Sequence, residues 1–239
     1  MLDNIASLIL LLTSAAGLFL QSGIPAGKPR KHLFAYYTNL SNLAVLIYEL
    51  IFYFTGLIGY SGLYAFVREP VTRYVMMLAI LITNLIYHFV LGPMIAKALD
   101  NIDREAGVSE EEIKKKHLSR LFLAPLTAAR KGLFDDGRTF VGNLLVHYFV
   151  PLFSLARWIA FAPKEIPFSA TFIWLAVPFA YFIFSFIRAN TLGPITKRGD
   201  RYPYDFLSPD KLPPAKLIRN VLIVSAAYYI LGLAVYLLF

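Results

Sequence analysis

Six apolar stretches, at 2–20, 33–55, 72–95, 140–162, 169–189 and 217–239, take up most of this 239-residue chain. Each is long enough to cross a bilayer. A hydrocarbon core ~30 Å thick needs about 20 residues of helix, at ~1.5 Å of rise per residue. Lipid offers no hydrogen-bond partners, so a spanning segment must satisfy its own backbone, and runs of this length do so as helices. The composition agrees, with 58% of residues hydrophobic and 16% charged, against about 25% charged in a soluble domain. The pattern predicts an all-α, polytopic bundle of six transmembrane helices filling 1–239 as a single domain. Any chemistry it performs is expected on something that lives in or near lipid.

The 23 Lys and Arg give a formal charge of +8, which in a soluble protein would suggest nucleic acid. Their placement argues against that partner. All but Arg68, Arg73, Arg157 and Lys164 fall in the loop after span 1 (Lys28, Arg30, Lys31), the insert after span 3 (Lys97 to Arg138) or the stretch from Arg188 to Arg219. Basic loops stay in the cytoplasm. These three regions are therefore expected inside, with both termini outside, in an integral protein of the plasma membrane. The same face is expected to attract anionic lipid headgroups. The leader Met1-Leu2-Asp3-Asn4 lacks the basic residues of a signal peptide, so span 1 is expected to remain as a helix. With no Cys, disulfides, thiol catalysis and Cys-ligated metals are excluded.

Two connections stand out. In the insert at 96–139, Ser109 and Glu112 form a capping-box signature. The following segment from Glu110 to Phe122 places Ile113, His117, Leu118, Leu121 and Phe122 near one face. It reads as an amphipathic helix on the cytoplasmic interface, or as a solvated helical hairpin. In the last loop, Tyr202 and Tyr204 flank Pro203. Tyr suits an interface because its ring is apolar and its hydroxyl wet, so the loop is either an anchor or a lid over a site opening to that leaflet.

Ionisable and amide groups inside a membrane are costly and mark functional sites. On span 2, Thr38, Ser41, Asn42, Val45 and Glu49 recur at helical spacing. Asn84 and His88 are four apart on span 3, and Asn143, His147, Ser154 and Arg157 or Trp158 align on span 4. Counted from the expected span ends, Thr38, His88 and His147 all lie roughly 8–10 Å inside the cytoplasmic boundary. A hydroxyl beside an imidazole is the minimum for nucleophilic acyl chemistry, and Asn39, Asn42, Asn84 and Asn143 offer donors for an oxyanion. The plainer alternatives are a Thr bonded to its own helix and a His that glues helices. Glu49 and Arg157 fall at matching depth toward the other face, where pairing removes the penalty of either charge alone. A structural ion pair is preferred there over a proton path. The four His form no metal-binding spacing, and no cofactor motif is present.

Three runs together resemble a known family. They are Tyr37-Thr38-Asn39-Leu40-Ser41-Asn42-Leu43, then Leu145-Val146-His147-Tyr148-Phe149-Val150-Pro151-Leu152 ahead of Trp158, and Arg198-Gly199 followed by Tyr202-Pro203-Tyr204-Asp205-Phe206-Leu207. The chain resembles the bacterial "Pr-six-Pr" membrane family, itself similar to the androgen-induced-gene proteins of animals. The likeness covers the chain outside 96–125. It departs from the family pattern at Arg157, where an acidic residue is expected before the Trp. The animal proteins are six-helix membrane hydrolases that cleave fatty-acid esters of hydroxy fatty acids with a Thr nucleophile and a His. The resemblance implies Thr38 as nucleophile, His147 as its base and a lipid acyl ester as substrate. His88, Asn39, Asn42, Asn84, Asn143, Tyr202 and Tyr204 are then expected as support. The alternative is a non-enzymatic bundle that binds or moves a small amphiphile.

Overall fold

The computed structural model describes residues 1–59, 61–117, 119–120, 137–163, 165–196 and 198–239. Among them there is no strand. Six helices are long and apolar enough to span a membrane: α1 (Leu2–Gln21), α2 (Tyr37–Ile58), α4 (Pro70–Glu105), α5 (Gly137–Phe161), α6 (Ala170–Thr191) and α7 (Pro214–Leu238). A short α3 (Ser61–Arg68) joins α2 to α4. The chain is a helical membrane protein, as its hydropathy requires.

Helix α4 is the centre of the bundle. Over its most apolar stretch 56% is buried, against 11% for α7 at the rim. Tyr74, Leu78 and Ile82 of α4 pack with Trp158 of α5 and Trp174 of α6. The Tyr74 hydroxyl donates to the Gly232 carbonyl of α7 at 2.5 Å. Helices α1 and α5 abut through small residues. A Cβ added at Gly17 would stand 2.8 Å from Val146 Cγ1, and one at Gly142 would stand 2.8 Å from Leu20 Cβ.

Two boundaries and the course of two spans differ from expectation, each for a local reason. Helix α2 begins at Tyr37 rather than Leu33, because Leu33–Ala35 forms a tight 3-10 turn and Tyr36 is extended. Side chains take the carbonyls of that turn: Asn39 Nδ2 donates to Leu33 at 3.0 Å and the Tyr181 hydroxyl to Ala35 at 2.9 Å. Thr38 therefore sits on the first turn of α2 rather than well inside it.

Helix α4 runs past Ile95 to Glu105. A helical segment over 110–117 packs on this extension, with Ile113 buried and the Glu112 N–H bonded to Ser109 Oγ at 3.3 Å. Asp100 of the extension holds His117 Nδ1 at 2.6 Å and Arg120 Nη1 at 2.5 Å, and Arg120 also pairs with Asp103. The segment is thus one arm of a hairpin with α4. Leu118, Leu121, Phe122, Arg130, Lys131, Lys164 and Lys197 lie outside the described residues.

The third difference is inside the spans. Helix α4 carries a π turn at Tyr87–Leu91 ahead of Pro93, and α5 carries one at Leu145–Phe149 ahead of Pro151. In α5 the Val150 N–H reaches back five residues to the Leu145 carbonyl. Pro151 has no N–H to offer the carbonyls of Val146 and His147, which lie five and four residues before it.

Candidate functional site

Neighbouring helices take up the two carbonyls that Pro151 cannot serve. Asn42 Nδ2 of α2 donates to the Val146 carbonyl at 3.1 Å, and Asn84 Nδ2 of α4 donates to the His147 carbonyl at 2.8 Å. Thr83 Oγ1 adds a longer bond to Val146 at 3.4 Å. These amides fix the turn that carries His147. Its ring stacks on Tyr87, with centroids 3.9 Å apart, and bonds to the Thr83 carbonyl. The ring is 9% exposed, and Nδ1 has no hydrogen-bond partner. His88 lies on the same side of the cluster, its Nδ1 3.3 Å from the Tyr148 hydroxyl. Asn143 lies beside the Tyr87 hydroxyl.

An unmet carbonyl in a low-dielectric interior costs about 1–3 kcal/mol. Asn42→Ala and Asn84→Ala should each lower stability by that amount. Thermal unfolding in detergent measures it, and unchanged midpoints would show that the amides are dispensable.

Thr38 approaches from the first turn of α2. Asn42 Nδ2 is bonded both to the Thr38 carbonyl, at 2.8 Å, and to Val146. One amide thus links the turn bearing Thr38 to the turn bearing His147. No hydrogen bond joins the Thr38 hydroxyl to the His147 ring among the described residues. The Thr38 hydroxyl instead meets Tyr204, whose oxygen also faces the N–H groups of Tyr37 and Thr38. Those N–H groups belong to the first turn of a helix, where no carbonyl of the helix itself can serve them. Burial pushes the Tyr204 phenol up to about 12, and the bonds from Tyr37 and Thr38 oppose that rise. Tyr204 is therefore neutral near pH 7 and keeps its proton to donate.

Beside Tyr204 lies a pocket of about 70 Å³ lined by Tyr37, Tyr181, Phe206 and Tyr228. A groove of about 550 Å³ between α4 and α7 shares Ile86, Phe206, Val224 and Tyr228 with it, and its other walls include Phe89 and Leu231. The groove is apolar and has the volume of a small-molecule site. Tyr202 is buried in a crevice that it lines with Phe182, Ser185 and Tyr204. Asn39 turns to a different pocket, shared with Arg30, Lys31 and His32. Among the described residues no three His, Asp or Glu gather as metal ligands.

Several contributors carry no role in the sequence reading: Thr83, Tyr87 and Tyr181, with Tyr37 and Tyr148 appearing there only inside the family-like runs. The signal that could have found some of them is Pro151, since a proline inside a span strands carbonyls that neighbours must satisfy.

Glu49 and Arg157 lie at the opposite end of the bundle. Arg157 Nη1 is 2.5 and 2.6 Å from the two Glu49 oxygens. Ser7 Oγ donates to Glu49 Oε2 at 2.6 Å, and Arg157 Nε to Asp3 Oδ1 at 2.8 Å. Arg73 also reaches Asp3, at 3.2 Å. The guanidinium of Arg157 stands 4.3 Å from the centre of the Phe52 ring. Glu49 and Arg157 are 3% and 5% exposed, so this is a buried network that ties α1, α2, α4 and α5 together.

Comparison of the chain with family models, with curated proteins and with solved structures gives no match.

Proposed function

We propose that the chain is an intramembrane hydrolase of lipid esters, acting on a fatty-acid ester of a hydroxy fatty acid or a similar acyl ester. It would belong with the "Pr-six-Pr" family it resembles. Its basic end would face the cytoplasm of a bacterial plasma membrane, with both termini outside. The observation that carries this reading is the meeting of the Thr38 hydroxyl, the Tyr204 hydroxyl and the first-turn N–H groups of α2 beside an apolar pocket.

Thr38 Oγ attacks the ester carbonyl carbon, and its proton passes to His147 through one bridging water. The oxyanion is met by the Tyr204 hydroxyl and the N–H groups of Tyr37 and Thr38. The carbonyl re-forms as the alcohol leaves with the proton from His147. Water, activated by the same imidazole, then releases the acid and restores Thr38. The acyl chains lie along the groove between α4 and α7.

The contact of Thr38 with Tyr204 instead of His147 favours a second reading, a bundle that binds or moves a small amphiphile without cleaving it. A fluorophosphonate probe separates the two. Labelling of the wild type that Thr38→Ala and His147→Gln both lose, and that Tyr204→Phe slows, supports the hydrolase. No labelling of a well-folded wild type, with an ester amphiphile bound and recovered intact, supports the binder.

A further inference from the structure

A polar cavity, separate in its lining from the acyl groove, opens beside Tyr36. It holds about 290 Å³ and is lined by Arg30, Lys31, His32, Tyr36 and Asn39, among others. The loop that supplies its cations is built to present them. Gly23 has φ +73°, and an added Cβ there would meet the Lys28 carbonyl oxygen at 2.1 Å, so only glycine closes this turn. The Arg30 N–H then bonds the Ser22 carbonyl at 2.8 Å and Arg30 Nη1 bonds Gln21 Oε1 at 3.1 Å.

Behind the cavity stands Arg188 of α6, 5% exposed. Its hydrogen bonds go to the carbonyls of Gly193 (2.8 Å) and Arg201 (3.1 Å) and to His32 Nδ1 (3.2 Å). None of these acceptors is a carboxylate. A buried guanidinium without a counter-charge is strongly disfavoured. Because His32 Nδ1 accepts from Arg188, the ring carries its proton on Nε2 and offers it as a further donor. The nearby Asp200 is already engaged, by Lys211 Nζ at 2.7 Å and Thr196 Oγ1 at 2.8 Å. The positive end of the α2 dipole adds to the field at Tyr36 and Asn39.

We propose that this cavity seats the phosphate of an anionic lipid headgroup. Arg30 and Lys31 would contact it directly, His32 Nε2–H would donate to it, and Arg188 would act through the His32 ring. Three permanent cations and a ring donor suit a group with several anionic oxygens better than a carboxylate with two. Basic pockets between helices at the headgroup level are places where such lipids bind. The inference rests on charge and burial alone and does not depend on Thr38 being a nucleophile.

The test is native mass spectrometry of the full-length protein with phosphatidylglycerol, phosphatidylcholine, oleate or inorganic phosphate. Wild-type protein should retain phosphatidylglycerol over phosphatidylcholine, and inorganic phosphate should compete. Arg30→Gln with Lys31→Gln should lower retention about tenfold, while Lys114→Gln with Lys115→Gln removes equal charge elsewhere and should leave it unchanged. Arg188→Gln should match the first pair if it folds. If it does not, the first pair alone decides. Equal losses in both double variants, no preference for phosphatidylglycerol, or retention of oleate as strong as that of the phospholipid would each overturn the proposal. So would retention of inorganic phosphate by a protein that retains neither phospholipid.

Discussion

Thr38→Ala should abolish ester hydrolysis, and His147→Gln should lower it by about 10²- to 10⁴-fold, the usual contribution of a general base. Thr is a weak nucleophile near neutral pH and needs an imidazole to take its proton. Thr38→Ser should keep part of the rate, since the hydroxyl remains on the same first turn. Neither Thr38→Ala nor Thr38→Ser touches the carbonyl that Asn42 holds, so both should unfold close to the wild type. Turnover of an acyl-ester substrate in detergent or nanodiscs, measured beside thermal unfolding, checks all three variants. Full activity in folded Thr38→Ala would end the threonine mechanism. Loss of activity only together with loss of fold would reduce His147 to a packing residue.

Much of the fold was legible because a bilayer imposes one strong rule, that a spanning segment be long, apolar and helical. Depth counting could also set Glu49 against Arg157, since each lies a similar distance past the start of its expected span and both spans start on the same side. It could not supply Asp3 or Ser7, which sit on α1 and join through three-dimensional packing alone. The start of α2 was misplaced for a related reason. Leu33, Phe34 and Ala35 are apolar enough for a span, and only the distant Tyr181 and the nearby Asn39 show why their carbonyls need no helix. Hydropathy also hid the π turns, because Pro93 and Pro151 do not interrupt an apolar run. Tyr204 belongs to a loop whose path across α2 has no periodicity to read.

The second large effect should appear at the buried ion pair. Arg157→Ala should cost about 3–5 kcal/mol, because it leaves the Glu49 carboxylate buried with Ser7 as its remaining side-chain partner. Glu49→Ala should cost less, since Arg157 keeps Asp3, which is more exposed. The double variant should be more stable than the sum of the single losses by about 0.5–3 kcal/mol, as expected for groups in direct contact. Chemical or thermal unfolding of the four proteins in one detergent measures the cycle. Strictly additive losses would show that the contact contributes nothing specific. Ester hydrolysis per folded molecule should stay unchanged in Glu49→Ala, since the network lies at the end of the bundle away from Thr38.

The proline of α5 also bears on how the chain is assembled. A helix with a complete hydrogen-bond ladder can enter the bilayer alone and find its neighbours afterwards. Helix α5 depends on Asn42 and Asn84 for the carbonyls of Val146 and His147. Both donors precede it in the sequence, so they have left the ribosome before α5 is made. The order of synthesis thus matches the order of need: α2 and α4 form the receptacle, and α5 completes itself against them. The turn that bears His147 becomes fixed only at that docking step, which links maturation of the proposed base to the docking of α5 against α2 and α4.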